Sequence, residues 1–224
     1  MRKFLETLIE IKNIIKKSLK VLNRKEEDIT LIAVSKQQPE EKILKSLNSG
    51  HRVFGENRVQ EAKLRWEKKK NTYKDLVLHL IGPLQSNKTA DAVKIFNFIH
   101  TVDREKIASS LSYEMQKQNK EIPCFIQINT GSEKQKSGIK PYELKDFLDF
   151  CSFETKLKII GLMCIPPVED EATLHFGLLK NLANKNNLNN LSMGMSSDYE
   201  VALHLGATHL RIGSAIFGNR KWKN

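Results

Sequence analysis

The chain is poor in cysteine: Cys124, Cys151 and Cys164 are the only three in 224 residues. Their number is odd, and no Cys-x-x-Cys pair or Cys/His ligand spacing accompanies them, so neither a disulfide framework nor a structural zinc site is expected. Cys124 and Cys164 stand inside apolar runs and read as core residues. Aromatic residues make up 7% of the chain, too few to interleave with basic residues in the manner of a nucleic-acid surface. No apolar run is long enough to span a bilayer. The opening segment, Met1-Arg2-Lys3-Phe4-Leu5-Glu6, lacks the apolar stretch and small-residue cleavage site of a secretory signal, so the cytoplasm is the expected compartment. His51, His100, His175, His204 and His209 show no mutual spacing that points to a metal, and His79 is expected to be a packed core histidine. Glycine is missing where an open nucleotide-binding sheet needs it: the turn after the first apolar run is Ser35-Lys36-Gln37-Gln38-Pro39.

Positive charge is what the chain has in excess. Its 37 Lys and Arg against 26 Asp and Glu leave a net charge of +11. The basic residues are scattered in short groups, Lys16-Lys17, Lys68-Lys69-Lys70, Lys134 to Lys140 and Arg220 to Lys223. This pattern reads as a solvated, lysine-rich surface rather than a specific nucleic-acid site. A hydrophobic content of 40% and a charged content of 28% are those of an ordinary globular protein. The length suits one large domain, and no proline- or glycine-rich linker divides it, so residues 1–224 are expected to form a single domain.

Residues 1–24 place Phe4, Leu5, Leu8, Ile11, Ile14, Ile15, Leu19 and Leu22 at helical spacing. This amphipathic helix precedes the first strand and is expected to cap or flank the main body. Eight apolar runs follow: Leu31 to Val34, Arg52 to Gly55, Val77 to Gly82, Phe98 to Val102, Cys124 to Asn129, Ile159 to Ile165, Leu191 to Met195 and His209 to Gly213. Helical patterns separate them, at Glu40 to Leu47, Arg58 to Lys69, Ala90 to Phe96, Glu105 to Gln118, Tyr142 to Phe153, Ala172 to Asn184 and Asp198 to Leu205. Asp103, Pro141 and Ser197 read as helix start signals. Strict alternation of strand and helix implies parallel strands with helical crossovers. Eight such units predict a single (β/α)8 barrel.

In such a barrel the chemistry lies at the carboxyl ends of the strands, and loops seven and eight often hold a phosphate. Those ends carry Ser35 and Lys36; Glu56 and Asn57; Gly82, Pro83, Gln85 and Ser86; Asp103; Asn129; Pro166; Ser196 and Ser197; and Arg211, Gly213 and Ser214. Closure makes the first and last strands neighbours, so Lys36 faces the turn Arg211-Ile212-Gly213-Ser214. A desolvated lysine beside other cations has a lowered amine pKa and forms Schiff bases. Glycine admits a close anion and serine adds a hydroxyl donor. An amine opposite a phosphate cradle is a combination suited to pyridoxal phosphate. Ser196 and Ser197 are also expected to cap the helix that begins at Asp198.

Several stretches, in order along nearly the whole chain, resemble the YggS/PROSC-type pyridoxal phosphate-binding proteins, also called the PLP homeostasis proteins. They are Ala33-Val34-Ser35-Lys36-x-x-Pro39, Phe54-Gly55-Glu56-Asn57-x-x-x-Glu61, His79-x-Ile81-Gly82-Pro83-Leu84-Gln85-Ser86-Asn87-Lys88, Gln127-Ile128-Asn129 with Lys136-Ser137-Gly138, Gly161-Leu162-Met163, Ser192-Met193-Gly194-Met195-Ser196-x-Asp198, and Arg211-Ile212-Gly213-Ser214-x-Ile216-Phe217-Gly218. Leu78, Cys164 and Arg58 depart from the residues usual in that family, outside the cofactor-binding motifs. The resemblance implies a TIM barrel of the alanine racemase N-terminal-domain type, fold type III among pyridoxal phosphate proteins. It implies pyridoxal 5'-phosphate carried as a Schiff base on Lys36. Ser196, Gly213 and Ser214 would hold the phosphate, Arg211 would approach the pyridine nitrogen, and Asn57 would lie near the ring.

A cation beside the pyridine nitrogen leaves it unprotonated and weakens the electron sink that pyridoxal phosphate catalysis uses. The chain is also expected to lack the C-terminal domain from which racemases of this fold draw an acid/base residue. The reading is a cofactor carrier in vitamin B6 homeostasis without robust catalysis; the alternative is an amino-acid racemase or lyase of narrow specificity. The implied partners are the cofactor and, as candidate recipients, apo-enzymes that use it. No specific nucleic acid and no membrane are expected, and the assembly is expected to be a monomer or a weak dimer.

Overall fold

The computed structural model describes residues 2–131 and 137–218, without the side chains of residues 2–6. Each of the eight apolar runs contributes a strand, and the order along the chain is α1 (Arg2–Val21), β1 (Thr30–Val34), α2 (Glu40–Asn48), β2 (Val53–Glu56), α3 (Val59–Trp66), α4 (Lys69–Thr72), β3 (Val77–Leu80), α5 (Thr89–Ile95), β4 (Phe98–Val102), α6 (Glu105–Lys117), β5 (Cys124–Ile128), α7 (Leu144–Phe153), β6 (Ile159–Cys164), α8 (Ala172–Lys185), β7 (Asn190–Ser192), α9 (Tyr199–His204), β8 (His209–Ile212) and α10 (Ser214–Phe217). The strands form a closed barrel in sequence order, all pairs parallel. Helices sheathe parallel sheets on the outside while side chains fill the inside, so strands are buried on both faces. Every residue of β5 is buried, and Cys124 and Cys164 lie in the core as expected.

Closure rests on β1 and β8, paired from Thr30 with His209 to Ala33 with Ile212. A full-length helix would ordinarily cover the outside of this seam, but α10 has only four residues. Its place is taken from the other end of the chain. Leu8, Ile11, Ile15 and Leu19 of α1 are buried, and α1 packs on α10, α9 and α2. Arg24, just past α1, donates to the carbonyl oxygens of Leu203 (3.2 Å) and Ala207 (2.7 Å) and ties the helix to the end of α9. The expected flanking helix is thus the missing eighth stave of the outer wall.

Three local departures from the expected elements have identifiable causes. Strand β7 stops at Ser192 instead of reaching Met195. The chain leaves the sheet at Gly194, whose φ is +90°, and a Cβ there would stand 2.6 Å from the Ala202 methyl. The helix expected from Tyr142 starts at Leu144, because Pro141–Glu143 forms a 3-10 turn. Helix α6 has Arg104 at its cap position rather than Asp103. Lys136 and the basic group from Arg220 to Lys223 lie outside the described residues.

Candidate functional site

The carboxyl ends of the strands surround a cavity of about 290 Å³. Lys36, Asn57, Ser196, Arg211, Gly213 and Ser214, the six site residues named from the sequence, all line it, with Val34, Ile81, Ile165, Met195 and Ser197. Among the described residues, its wall carries no carboxylate, histidine, tyrosine or cysteine. Lys36 and Arg211 are the only ionisable side chains among the described residues that line it.

Lys36 sits in a tight turn directly beyond β1, next to Gln37 at φ +58°. Two side chains, Glu56 of β2 and the half-buried Arg65 of α3, brace this turn. The Glu56 carboxylate, wholly buried, accepts hydrogen bonds at one oxygen from the Ser35 hydroxyl (2.7 Å), the Arg65 guanidinium (2.8 Å) and the Trp66 indole N–H (3.0 Å). Arg65 also donates to the backbone oxygens of Ser35 (2.7 Å) and Gln38 (3.1 Å). Both ends of the turn that carries Lys36 are therefore clamped to one buried ion pair. The sequence placed Glu56 at a strand end but did not disclose this role for it.

Asn57 is held by close backbone packing. A Cβ on Gly82 would lie 2.3 Å from the Asn57 carbonyl oxygen, so glycine at the end of the third strand is what lets Asn57 occupy its place. Gly213 likewise lies against β1, where a Cβ would stand 3.3 Å from the Val34 side chain.

The two serines expected to cap α9 do something else. Asp198 occupies the cap position of that helix, and its carboxylate accepts from the Met195 N–H. Ser196 turns instead to α10. Its hydroxyl oxygen accepts from the backbone N–H groups of Gly213 (3.2 Å) and Ala215 (3.1 Å). Loops seven and eight are thereby joined at the cavity rim, with two backbone dipoles converging on one hydroxyl whose own proton remains to donate.

Arg211 forms part of the floor. It is buried, and its guanidinium donates to the Ser192 hydroxyl (2.7 Å) and the Cys164 carbonyl (2.8 Å). Burial lowers its pKa from the ordinary arginine value. Below it, His79, His100 and His209 meet inside the barrel from three strands. His79 is the packed histidine expected, but its convergence with the other two was not foreseen. The signal available was the strand period of two, which sets Phe98 with His100, and His209 with Arg211, on common faces. Burial keeps all three imidazoles neutral, pushing His209 down to about 4 and His79 and His100 well below their ordinary value. Among the described residues no group of three His, Cys, Asp or Glu side chains is placed to hold a metal ion.

The alanine racemase N-terminal domain family matches residues 12–221. A pyridoxal phosphate homeostasis protein of Vibrio cholerae is 38% identical, over 99% of this chain and 98% of that relative. One of Aquifex aeolicus is 35% identical, over 97% of this chain and 98% of the relative. PipY of Synechococcus elongatus, solved with PLP bound, superposes with a TM-score of 0.77 at 33% identity, over 92% of this chain and all of that one. An alanine racemase of Clostridium difficile, 14% identical with a TM-score of 0.76, shares the barrel fold; this chain covers 58% of its length. With its closed eight-stranded barrel and its ordered motifs, the chain belongs to the alanine racemase N-terminal domain family and, within it, to the pyridoxal phosphate homeostasis proteins.

Proposed function

We propose that this protein holds pyridoxal 5'-phosphate reversibly at the barrel mouth, through the Lys36 amine, and serves vitamin B6 homeostasis as a carrier rather than a robust catalyst. The observation that carries this reading is the wall of one small cavity: an amine on one side, a gathered set of N–H and O–H donors on the other, and a buried guanidinium beneath. These groups fit the cofactor. Its aldehyde needs a primary amine, its phosphate needs donors, and its ring needs a slot of single-ring size. A volume of about 290 Å³ lies at the small end of ligand pockets, which run from about 300 to 1,000 Å³.

When bound, pyridoxal phosphate supplies an electrophilic carbon and an electron-withdrawing ring. The protein's part is to hold and orient it. Lys36 provides the attachment nitrogen. Ser196, Gly213 and Ser214 receive the phosphate, with the Ser196 hydroxyl donating while its oxygen collects two backbone N–H groups. Arg211 would present N–H donors and positive charge to the ring nitrogen, and Asn57 would border the ring. A donor at that nitrogen keeps it unprotonated and restrains carbanion chemistry. Carrier status is further supported by the absence, among the described lining residues, of any carboxylate, histidine or tyrosine to move a second proton. The barrel is proposed to act as one domain, in the cytoplasm, with pyridoxal phosphate-dependent apo-enzymes as recipients.

The test is borohydride reduction of the protein incubated with pyridoxal phosphate, followed by peptide mass mapping. A pyridoxyl group on Lys36 alone is the expected result. Adducts spread over surface lysines, or none, overturn the reading. Cα deuterium exchange with a panel of amino acids separates carrier from enzyme; exchange well above that of the free cofactor favours a racemase or lyase.

A further inference from the structure

Arg211 is a buried cation that forms no ion pair among the described residues. A charge out of water is costly; the Asp198 carboxylate acts on this one only through space, and what Arg211 hydrogen-bonds directly is neutral, the Cys164 carbonyl and the start of a line of neutral side chains. Arg211 donates to the Ser192 hydroxyl oxygen at 2.7 Å. Ser192 bonds His100 Nδ1 at 2.8 Å, and His100 Nε2 bonds His79 Nδ1 at 2.9 Å. The line ends there, because His79 Nε2 is buried without a partner. Stacked phenyl rings hold both imidazole planes, Phe98 on His79 (4.5 Å, 4°) and Phe125 on His100 (4.3 Å, 21°).

The protons along this line can run in two directions, and two considerations select one. If Ser192 donates to His100 and His100 Nε2–H donates to His79, a single group is left over, the His79 Nε2–H. In the reverse direction the Ser192 proton also has no acceptor, and each orphaned buried group costs about 1–3 kcal/mol. Charge decides the same way. In the first direction the oxygen of Ser192 and the bare Nδ1 of each imidazole point toward the guanidinium, and the proton ends point away. In the reverse direction the imidazole N–H dipoles would face the cation.

We propose that Ser192, His100 and His79 are positioning residues: an aligned row of dipoles that holds the Arg211 guanidinium in place and stabilises its charge without neutralising it. A carboxylate in that position would cancel the positive potential at the cavity floor. Three neutral groups leave it available to an anionic ligand above. The proposal rests on Arg211 being a wall of the pyridoxal phosphate site.

Two measurements test it. Histidine 15N spectra of the cofactor-free protein read the tautomers directly. Neutral imidazoles protonated at Nε2 are expected for both His79 and His100; Nδ1 protonation of His100, or an imidazolium, overturns the proposal whatever the cofactor does. Pyridoxal phosphate binding is then compared in His100→Phe and His100→Asn. Phenylalanine keeps the ring volume but removes the acceptor for Ser192, whereas asparagine keeps an acceptor there and loses the volume. His100→Phe is expected to weaken cofactor binding up to about tenfold, the upper scale of one neutral hydrogen bond, and to shift the bound chromophore's absorption. His100→Asn is expected to bind more tightly than His100→Phe despite lower thermal stability. Binding that merely follows stability overturns the proposal, and Ser192→Ala, a smaller change, should reproduce the His100→Phe loss. If the wild type takes up no cofactor, the cofactor reading fails while the tautomer spectra still judge the row of dipoles.

Discussion

Lys36 owes its position to residues that never reach the cavity. Glu56 from β2 and Arg65 from α3 together bind both ends of its turn. Removing one member of a buried ion pair strands the other, at about 3–5 kcal/mol. Glu56→Leu should therefore lower stability by about 3 kcal/mol or more in urea denaturation and slow the attachment of pyridoxal phosphate to Lys36; unchanged attachment kinetics would show that the turn holds without the clamp. Lys36→Ala should abolish the reducible adduct while leaving the fold intact, which circular dichroism and mass mapping would read together. The sequence made Lys36 legible because it ends an apolar run opposite a Gly-Ser turn. It hid the clamp because nothing local marks a glutamate on a strand as the partner of an arginine nine residues on. Ser196 was legible as a site residue but not as the acceptor for Gly213 and Ala215, since that contact exists only once loops seven and eight meet.

At the scale of elements, the strand–helix alternation carried the barrel almost completely, and strand limits differ from those expected mainly where glycine redirects the chain. Gly194 ends β7 early for that reason. Gly82 leaves room for the Asn57 backbone, so Gly82→Ala must displace Asn57 from the cavity wall. The expected outcome is weaker pyridoxal phosphate binding by equilibrium titration, with the loss much smaller in an alanine substitution at Gly177, where a Cβ meets nothing within 4 Å. Helix α1 is the element whose role the sequence left open between cap and flank. Its apolar stripe was plain, but its target was not, because only the shortness of α10 creates the gap it fills. Leu19 is 1% exposed, and truncating such a residue costs about 2–5 kcal/mol. Leu19→Ala should show that loss in denaturant unfolding; a change under about 0.5 kcal/mol, the scale of surface substitutions, would mean that α1 is not integral to the wall.

For the whole molecule, the buried histidines set an acid limit. Burial depresses His51 and His209 from 6.5 to about 4, and holds His79 and His100 well below their ordinary value. As pH falls, the unfolded chain takes up these protons first. Stability is therefore full above pH 6.5 and declines as pH falls toward 4, each such histidine contributing up to about 1.4 kcal/mol per pH unit. Urea midpoints measured from pH 7.5 down to pH 4.5 should fall steadily below about pH 6.5; a flat profile would mean that the imidazoles are not buried in the neutral form.

The seam between β1 and β8 has a further consequence, in time rather than in space. Lys36, the proposed attachment residue, follows the first strand and the proposed phosphate donors follow the last two, while α1 waits on α9 and α10 for its partners. No partly synthesised chain possesses the two halves of the cavity together. Contacts this distant in sequence form late and slowly. A nascent chain has the amine without the proposed anion cradle, so on the reading proposed above competence to retain the cofactor would arrive only with the finished barrel and report its completion.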